Sequence, residues 1–279
     1  MSIKPAMNTG DWVSTRVESR LHLAAVSPIA DESKAMVEIE GVHYGYGDTL
    51  ILKDIHLAIP QGQFVALVGV SGCGKTTLLN LVAGQFPGMS GQISIAGQRI
   101  KGPRLSTGYM SARDALMPWR TALDNVAFGL ELRGVSKGAR LSRAKDWLAQ
   151  VGLIGSEGKY RNQLSQGMRQ RVAFARTLAI DPDLVLLDEP FAALDAQTKE
   201  ELQPKFLQLC EGGGRTVILV THDINEAISM ADRVVVLSKG RGISLDQPVV
   251  IPRPRNIADL IDVPEFRDIR HRVREALFS

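Results

Sequence analysis

Residues Gly69, Val70, Ser71, Gly72, Cys73, Gly74, Lys75 and Thr76 run consecutively and carry the clearest chemistry in the chain. Their spacing, G-x-x-x-x-G-K-[ST], is the phosphate-loop pattern. Glycines at 69, 72 and 74 let the backbone curl so that its N–H groups converge on an anion, aided by the positive end of the helix that follows. Lys75 would then reach the β- and γ-phosphates of a nucleotide, the Thr76 hydroxyl would ligate Mg²⁺, and Thr77 closes the loop. A thiol among those N–H groups, Cys73, is expected to ionise more easily than usual and to react where reagent can reach it. A second pair, Asp188 and Glu189, ends the apolar run 184–187. A carboxylate at the end of a buried strand can hold the water shell of Mg²⁺, and its neighbour can polarise an attacking water. Together these residues imply a nucleoside triphosphatase and go no further.

A third segment narrows the class. Leu164, Ser165, Gln166, Gly167 and Met168 precede a helix expected to run to about residue 179. Ser165 and Gly167 at its N-terminus form an anion site that the local phosphate loop does not need. Here the chain resembles the ATP-binding subunit of ABC transporters, whose signature is Leu-Ser-Gly-Gly-Gln; it departs at Gln166 and Met168 and keeps the serine and the second glycine. The resemblance covers residues 36 to about 256. It implies that Tyr46 stacks on adenine, that Asp195, within Ala193-Leu194-Asp195, links the two sites of a dimer, and that His222 contacts the γ-phosphate and orients the attacking water. Two copies are then expected head to tail. Tyr46, residues 69–77 and Asp188 of one copy and Ser165 and Gly167 of the other would hold each ATP, with Glu189 as base.

Residues 114–119 and 123–130 look like those of importers for nitrate, sulfonates, taurine and related small anions or pyrimidine precursors. The resemblance therefore implies partner permease chains docking near 114–119, an indirect link to a periplasmic or surface solute-binding protein, and a peripheral place on the cytoplasmic face of the plasma membrane. One position departs from the family. Where it keeps a glutamine that contacts Mg²⁺ and relays the state of the permease, this chain has Ala112, followed by Arg113 and Asp114. Two other readings stay open: a soluble family member acting on nucleic acid or ribosomes, and a weakly hydrolysing regulatory module suggested by Ala112. One nucleotide domain and no sustained heptads speak against the first.

The elements that must position these residues are legible as periodicities. Alternation at 37, 39, 55, 57 and 59 reads as antiparallel strands turned at Gly45, Gly47 and Asp48; residues 64–68, 184–187, 217–220 and 234–237 read as buried strands and 92–100 as a further alternating pair. Helical spacing is expected at 76–83, 124–132, 142–151, 196–210 and 225–230. Strands alternating with helices imply a mostly parallel sheet covered on both faces. The expected fold is α/β, a P-loop NTPase core of RecA-like type with an antiparallel β subdomain and a helical subdomain inserted at about 103–180. Residues 1–35 read as an N-terminal extension and 257–279 as an amphipathic helix that Pro264 begins, with Phe266, Ile269, Val273 and Leu277 on one face.

Bulk composition agrees with an enzyme subunit of this kind. The chain has 279 residues, 33 basic and 30 acidic side chains for a net charge of +3, and an apolar share of 44%. Six arginines from Arg253 onward are offset by five acids, which argues against a nucleic-acid arm. No apolar run reaches the ~20 residues of a membrane-spanning helix. The two cysteines, Cys73 and Cys210, make neither a metal pair nor a disulfide framework, and a reducing cytoplasm is the expected compartment.

Overall fold

A computed structural model describes residues 35–112, 114–211, 213–255 and 257–278. The expectation for the N-terminal extension therefore lies, save for Ala35, outside the described residues, as does Arg113. Strands β1 (Ala35–Tyr46) and β2 (Thr49–Pro60) form an antiparallel hairpin with only Gly47 and Asp48 between them. After β3 (Phe64–Val68) and helix α1 (Lys75–Val82), β4 (Ser90–Ile95) and β5 (Gln98–Arg99) complete a four-stranded sheet in the order β2-β1-β4-β5. The alternation in sequence becomes a buried ladder: Val37 and Ile39 pair with Ile59 and Leu57 on one side and with Ile95 and Ile93 on the other.

The main sheet has six strands. β6 (Thr107–Met110), β7 (Leu184–Asp188), β8 (Thr216–Val220), β9 (Arg233–Ser238) and β10 (Gly242–Pro248) join β3 in the order β10-β9-β3-β8-β7-β6, with only β10 antiparallel. All five residues of β3, β7 and β8 are buried, as parallel strands covered on both faces require. The alternation of β3 divides the interior: Phe64, Ala66 and Val68 enter one core, Val65 and Leu67 the other. The second core lies beneath the antiparallel sheet and α1.

The first core is covered by α2 (Ala122–Leu132), α3 (Lys137–Gln150) and α4 (Gln166–Ala179), and also by α5 (Ala196–Glu211) and α6 (Ile224–Met230). β6 corrects the expectation of a helical stretch beginning at 103: Thr107–Met110 pairs with β7 and belongs to the main sheet. It has one strand neighbour and only four residues, with two of them half-buried, so it lacks the solid apolar run that marks β7. α7 (Ile257–Leu260) leads to α8 (Pro264–Phe278), which begins at the proline expected of it. Phe266, Ile269 and Val273 are buried against α6, β9 and β10, and Leu277 packs at the margin. Burying a side chain such as Phe266 is worth about 1.5–3 kcal/mol, enough to dock a helix whose other faces are charged. Among the described residues no helix is long and apolar enough to cross a membrane.

Candidate functional site

The phosphate loop lies between β3 and α1, where the sequence put it. Gly69 and Gly74 are fixed by close approach: a Cβ on Gly69 would stand 2.5 Å from the Leu237 carbonyl oxygen, and one on Gly74, at φ +106°, would stand 2.6 Å from a Leu52 methyl. The main sheet thus presses on one end of the loop and the β1–β2 hairpin on the other. Lys75 is buried, and its ammonium donates to the carbonyls of Gly69 at 2.8 Å and Val70 at 3.2 Å. Val70, Ser71 and Gly72 form the exposed crest, whereas Thr77 is buried.

Cys73 requires a correction. Its side chain is buried and burial raises its pKa, outweighing the opposing influence of Lys75 and of backbone hydrogen bonds. The oriented N–H groups of the loop do not make it a reactive thiolate, because the sulfur lies on the protein side of the loop, against Gly69.

The two carboxylates sit at the end of β7 as expected. The Thr76 hydroxyl donates to Asp188 Oδ1 at 3.0 Å across 112 residues of sequence. Burial raises the pKa of Asp188; the Thr76 hydrogen bond opposes this, the Glu189 charge adds to it, and Lys75 opposes it. Glu189, with a left-handed φ of +46°, turns the chain sharply at the strand end, and its N–H donates to the Val220 carbonyl at 2.9 Å. Its Oε2 lies 3.3 Å from Nδ1 of His222, which follows β8 at an exposed position. The hydroxyl of Thr76 and the carboxylate of Asp188 are hard oxygen donors of the kind Mg²⁺ takes, so the residues present fit that ion.

The other sites expected from sequence stand apart from this group. Ser165 caps α4, accepting from the Met168 N–H at 3.3 Å, and is exposed. Gly167 sits near Thr198, 3.1 Å from where a Cβ would be. Among the described residues no hydrogen bond or ion pair joins Ser165 or Gly167 to the phosphate loop of the same chain. Asp195 accepts from the Thr198 N–H at 2.9 Å and its hydroxyl at 2.8 Å; those bonds hold its carboxyl below the usual range. Tyr46 ends β1 and is half exposed. Ala112 is exposed just after β6.

Three contacts escaped the sequence reading. Gln170, buried in α4, donates its side-chain amide to the Pro190 carbonyl, tying the Ser165 helix to the residue after Glu189. Its only sequence signal is a polar residue on an apolar helix face. Tyr109 donates to Asn80 Oδ1 at 2.8 Å, joining β6 to α1, and its pKa is raised by burial and then by the charge of Asp188. Asp114 is clasped by Arg161 at 3.0 and 3.2 Å, while Arg176 donates to the carbonyls of Asp114 and Ala115, so the 114–119 segment is braced from two sides and presents Trp119, 73% exposed, to solvent.

A parallel sheet that seats a glycine-rich loop, a buried lysine and a threonine–aspartate contact at its strand ends is a P-loop nucleotide-binding fold. Residues 52–192 match the family described as ABC transporter. The chain is 48% identical over 212 residues to the taurine import ATP-binding protein TauB of Escherichia coli strain K12 and to that of Shigella flexneri, covering 76% of this chain and 83% of each relative. In structure it is similar to the bacterial ABC transporter cassette MJ0796, known in a dimeric form and in a dimeric post-hydrolysis state bound to ADP and phosphate; the TM-score is 0.69 and identity 32%, over 77% of this chain and 99% of that one. The chain belongs to the ABC transporter family, as an ATP-binding ATPase subunit.

Proposed function

We propose that this ATPase powers the uptake of a small anion of the taurine or sulfonate kind through partner permease chains, as a dimer lying peripherally on the cytoplasmic face of the membrane. The solute class rests on the likeness to taurine import ATP-binding proteins. The observation that carries the chemistry is the convergence of Thr76, at the start of α1, with Asp188, Glu189 and His222, at the ends of β7 and β8.

The reaction is in-line attack of water on the γ-phosphate of ATP. Lys75 would exchange its contacts with Gly69 and Val70 for phosphate oxygens, and the N–H groups of residues 69–77 would neutralise the rest of that charge. Thr76 and Asp188 would hold Mg²⁺, which when bound offsets charge on the β- and γ-phosphate oxygens. Glu189 orients the attacking water and accepts its proton, while His222, held beside it, faces the γ-phosphate. Tyr46 stacks on the adenine. Ser165 is exposed at the capped N-terminus of α4, which supports a site closed by a second copy that offers this N-terminus to the γ-phosphate, with Asp195 at the seam.

Co-expression with a multispanning permease and reconstitution in vesicles tests this reading. ATP hydrolysis stimulated several-fold by taurine or another sulfonate with its binding protein is expected. A chain that stays out of the membrane fraction, or hydrolyses ATP indifferently to every small anion offered, would overturn it.

A further inference from the structure

Three aromatic rings meet at the end of the β1–β2 hairpin, although they come from two separate stretches of chain. Tyr44 and Tyr46 belong to β1, and Phe86 follows α1. Tyr44 stacks on Phe86 with ring centroids 6.0 Å apart and planes inclined by 12°. Tyr46 stands perpendicular to both, 5.3 Å from Tyr44 at 90° and 6.1 Å from Phe86 at 82°. These are the separations at which aromatic quadrupoles attract, so the orientation of each ring depends on the other two. About half of Tyr46 (51%) remains open to a ligand, while Tyr44 and Phe86 are half-buried on the second core.

This cluster lies close to the phosphate loop. Tyr44 pairs with Leu52 across the hairpin, and Leu52 is the side chain pressed against Gly74. Phe86 lies just beyond the C-terminus of the helix whose first residue is Lys75. One ring therefore comes from the segment that follows α1, the helix behind the phosphate loop, and two come from the strand that would receive the base.

We infer that Phe86 and Tyr44 are positioning residues for the nucleotide base. They hold the Tyr46 ring in one plane and at one distance from α1, so that a triphosphate seated on residues 69–77 meets a tyrosine already oriented to stack on its adenine. The inference rests on the reading of Tyr46 as the base-stacking residue. An exposed aromatic at a hairpin tip would otherwise be immobilised only when the ligand arrives, at a cost in affinity that a preformed mount removes. Neither Phe86 nor Tyr44 needs to touch the nucleotide. Both act through Tyr46, and their effect is confined to ligands that possess a base.

The test compares two ligands on the full chain, ATP and inorganic tripolyphosphate, each with Mg²⁺, by equilibrium titration. Phe86→Leu keeps an apolar side chain in the core and removes the ring; Phe86→Tyr keeps the ring. We expect Phe86→Leu to weaken ATP about three- to tenfold, leaving tripolyphosphate unchanged, because ring contacts of this kind are individually modest. Phe86→Tyr should restore parental ATP affinity. In a Tyr46→Ala background, Phe86→Leu should add nothing further, since the ring it orients is gone. If Tyr46→Ala weakens ATP selectively but Phe86→Leu does not, the mount is overturned while the stacking tyrosine stands. If Phe86→Leu weakens both ligands equally, the phenylalanine only supports α1 and the inference fails. If Tyr46→Ala itself leaves the preference for ATP over tripolyphosphate unchanged, the base-stacking reading falls, and the inference with it.

Discussion

The imidazole Nδ1 of His222 lies 3.3 Å from a carboxylate oxygen of Glu189. Neighbouring strands produce this approach. β7 ends at Asp188 and β8 at Val220, and the Glu189 N–H closes on the Val220 carbonyl at 2.9 Å, which keeps the two strand ends level. Glu189 and His222 are thus held by sheet hydrogen bonding before any nucleotide arrives, so that in the proposed mechanism the cost of assembling a proton acceptor and a phosphate partner would not be incurred at the moment of reaction.

Glu189→Gln preserves shape and hydrogen bonding and removes the charge that would accept the proton in the proposed mechanism. Turnover is expected to fall 10²- to 10⁴-fold, the usual worth of a general base, with ATP binding kept. Size-exclusion with ATP should show a long-lived dimer. Hydrolysis at the parental rate, or a chain that stays monomeric with ATP, would remove Glu189 from the role.

Cys73 is buried with its pKa raised, and burial pushes the Cys210 thiol up to about 12. A maleimide should leave the native protein unlabelled and active with or without MgATP, and both thiols should react once urea unfolds the chain. Mass spectrometry after a brief exposure checks this. Stoichiometric labelling of Cys73 in the folded protein would show that the loop opens.

Glu226 is buried in α6, where its carboxylate accepts from Gln203 of α5 at 3.0 Å; burial above all raises its pKa to about 7. The folded protein therefore holds this proton more tightly than the unfolded chain, whose carboxyl titrates near 4.5. Stability from this group is full below pH 4.5, declines as pH rises through about 7, and is lower by on the order of 3 kcal/mol at pH 8. Glu226→Gln removes the titration, so the variant should lose less melting temperature than its parent between pH 5 and pH 8. Equal losses in calorimetry would show that Glu226 is not the group responsible.

Ala112→Gln restores an amide at the exposed bend after β6. Thr76 and Asp188 are already in contact without it, so ATP affinity should change by less than about tenfold, or 1.4 kcal/mol. Solute-stimulated hydrolysis in the assembled transporter should rise, because the added side chain would link the core to the helical layer. Unchanged or abolished stimulation would mean that Ala112 does not stand at the family's glutamine position, or that the relay runs through Ser111, Arg113 or Asp114.

Much of this architecture was legible because it rests on local rules. The loop between β3 and α1, the acids at the end of β7 and the start of α8 at Pro264 each combine a solid or periodic apolar pattern with a punctuating residue, and each lies where that pattern put it. β6 did not declare itself: a four-residue edge strand with alternating burial resembles a loop until its neighbour is known. The burial of Cys73 depends on which side of the loop faces Gly69, and the Tyr44–Tyr46–Phe86 cluster depends on a turn after α1 meeting a hairpin. Such tertiary meetings leave no periodic trace in either segment.

The order of strands in the main sheet also governs how the molecule is made. β3 lies between β8 and β9, and the Phe64 N–H closes on the Asp232 carboxylate 168 residues later. During synthesis the five apolar residues of β3 emerge with both ladder edges bare, and remain so until Thr216–Val220 and Arg233–Ser238 follow. For that interval the nascent chain offers a template for pairing with other chains. The central seam of the sheet closes only once β8 and β9 have been made, so a product truncated before them is expected to be held by chaperones or degraded rather than to persist as a partial cassette.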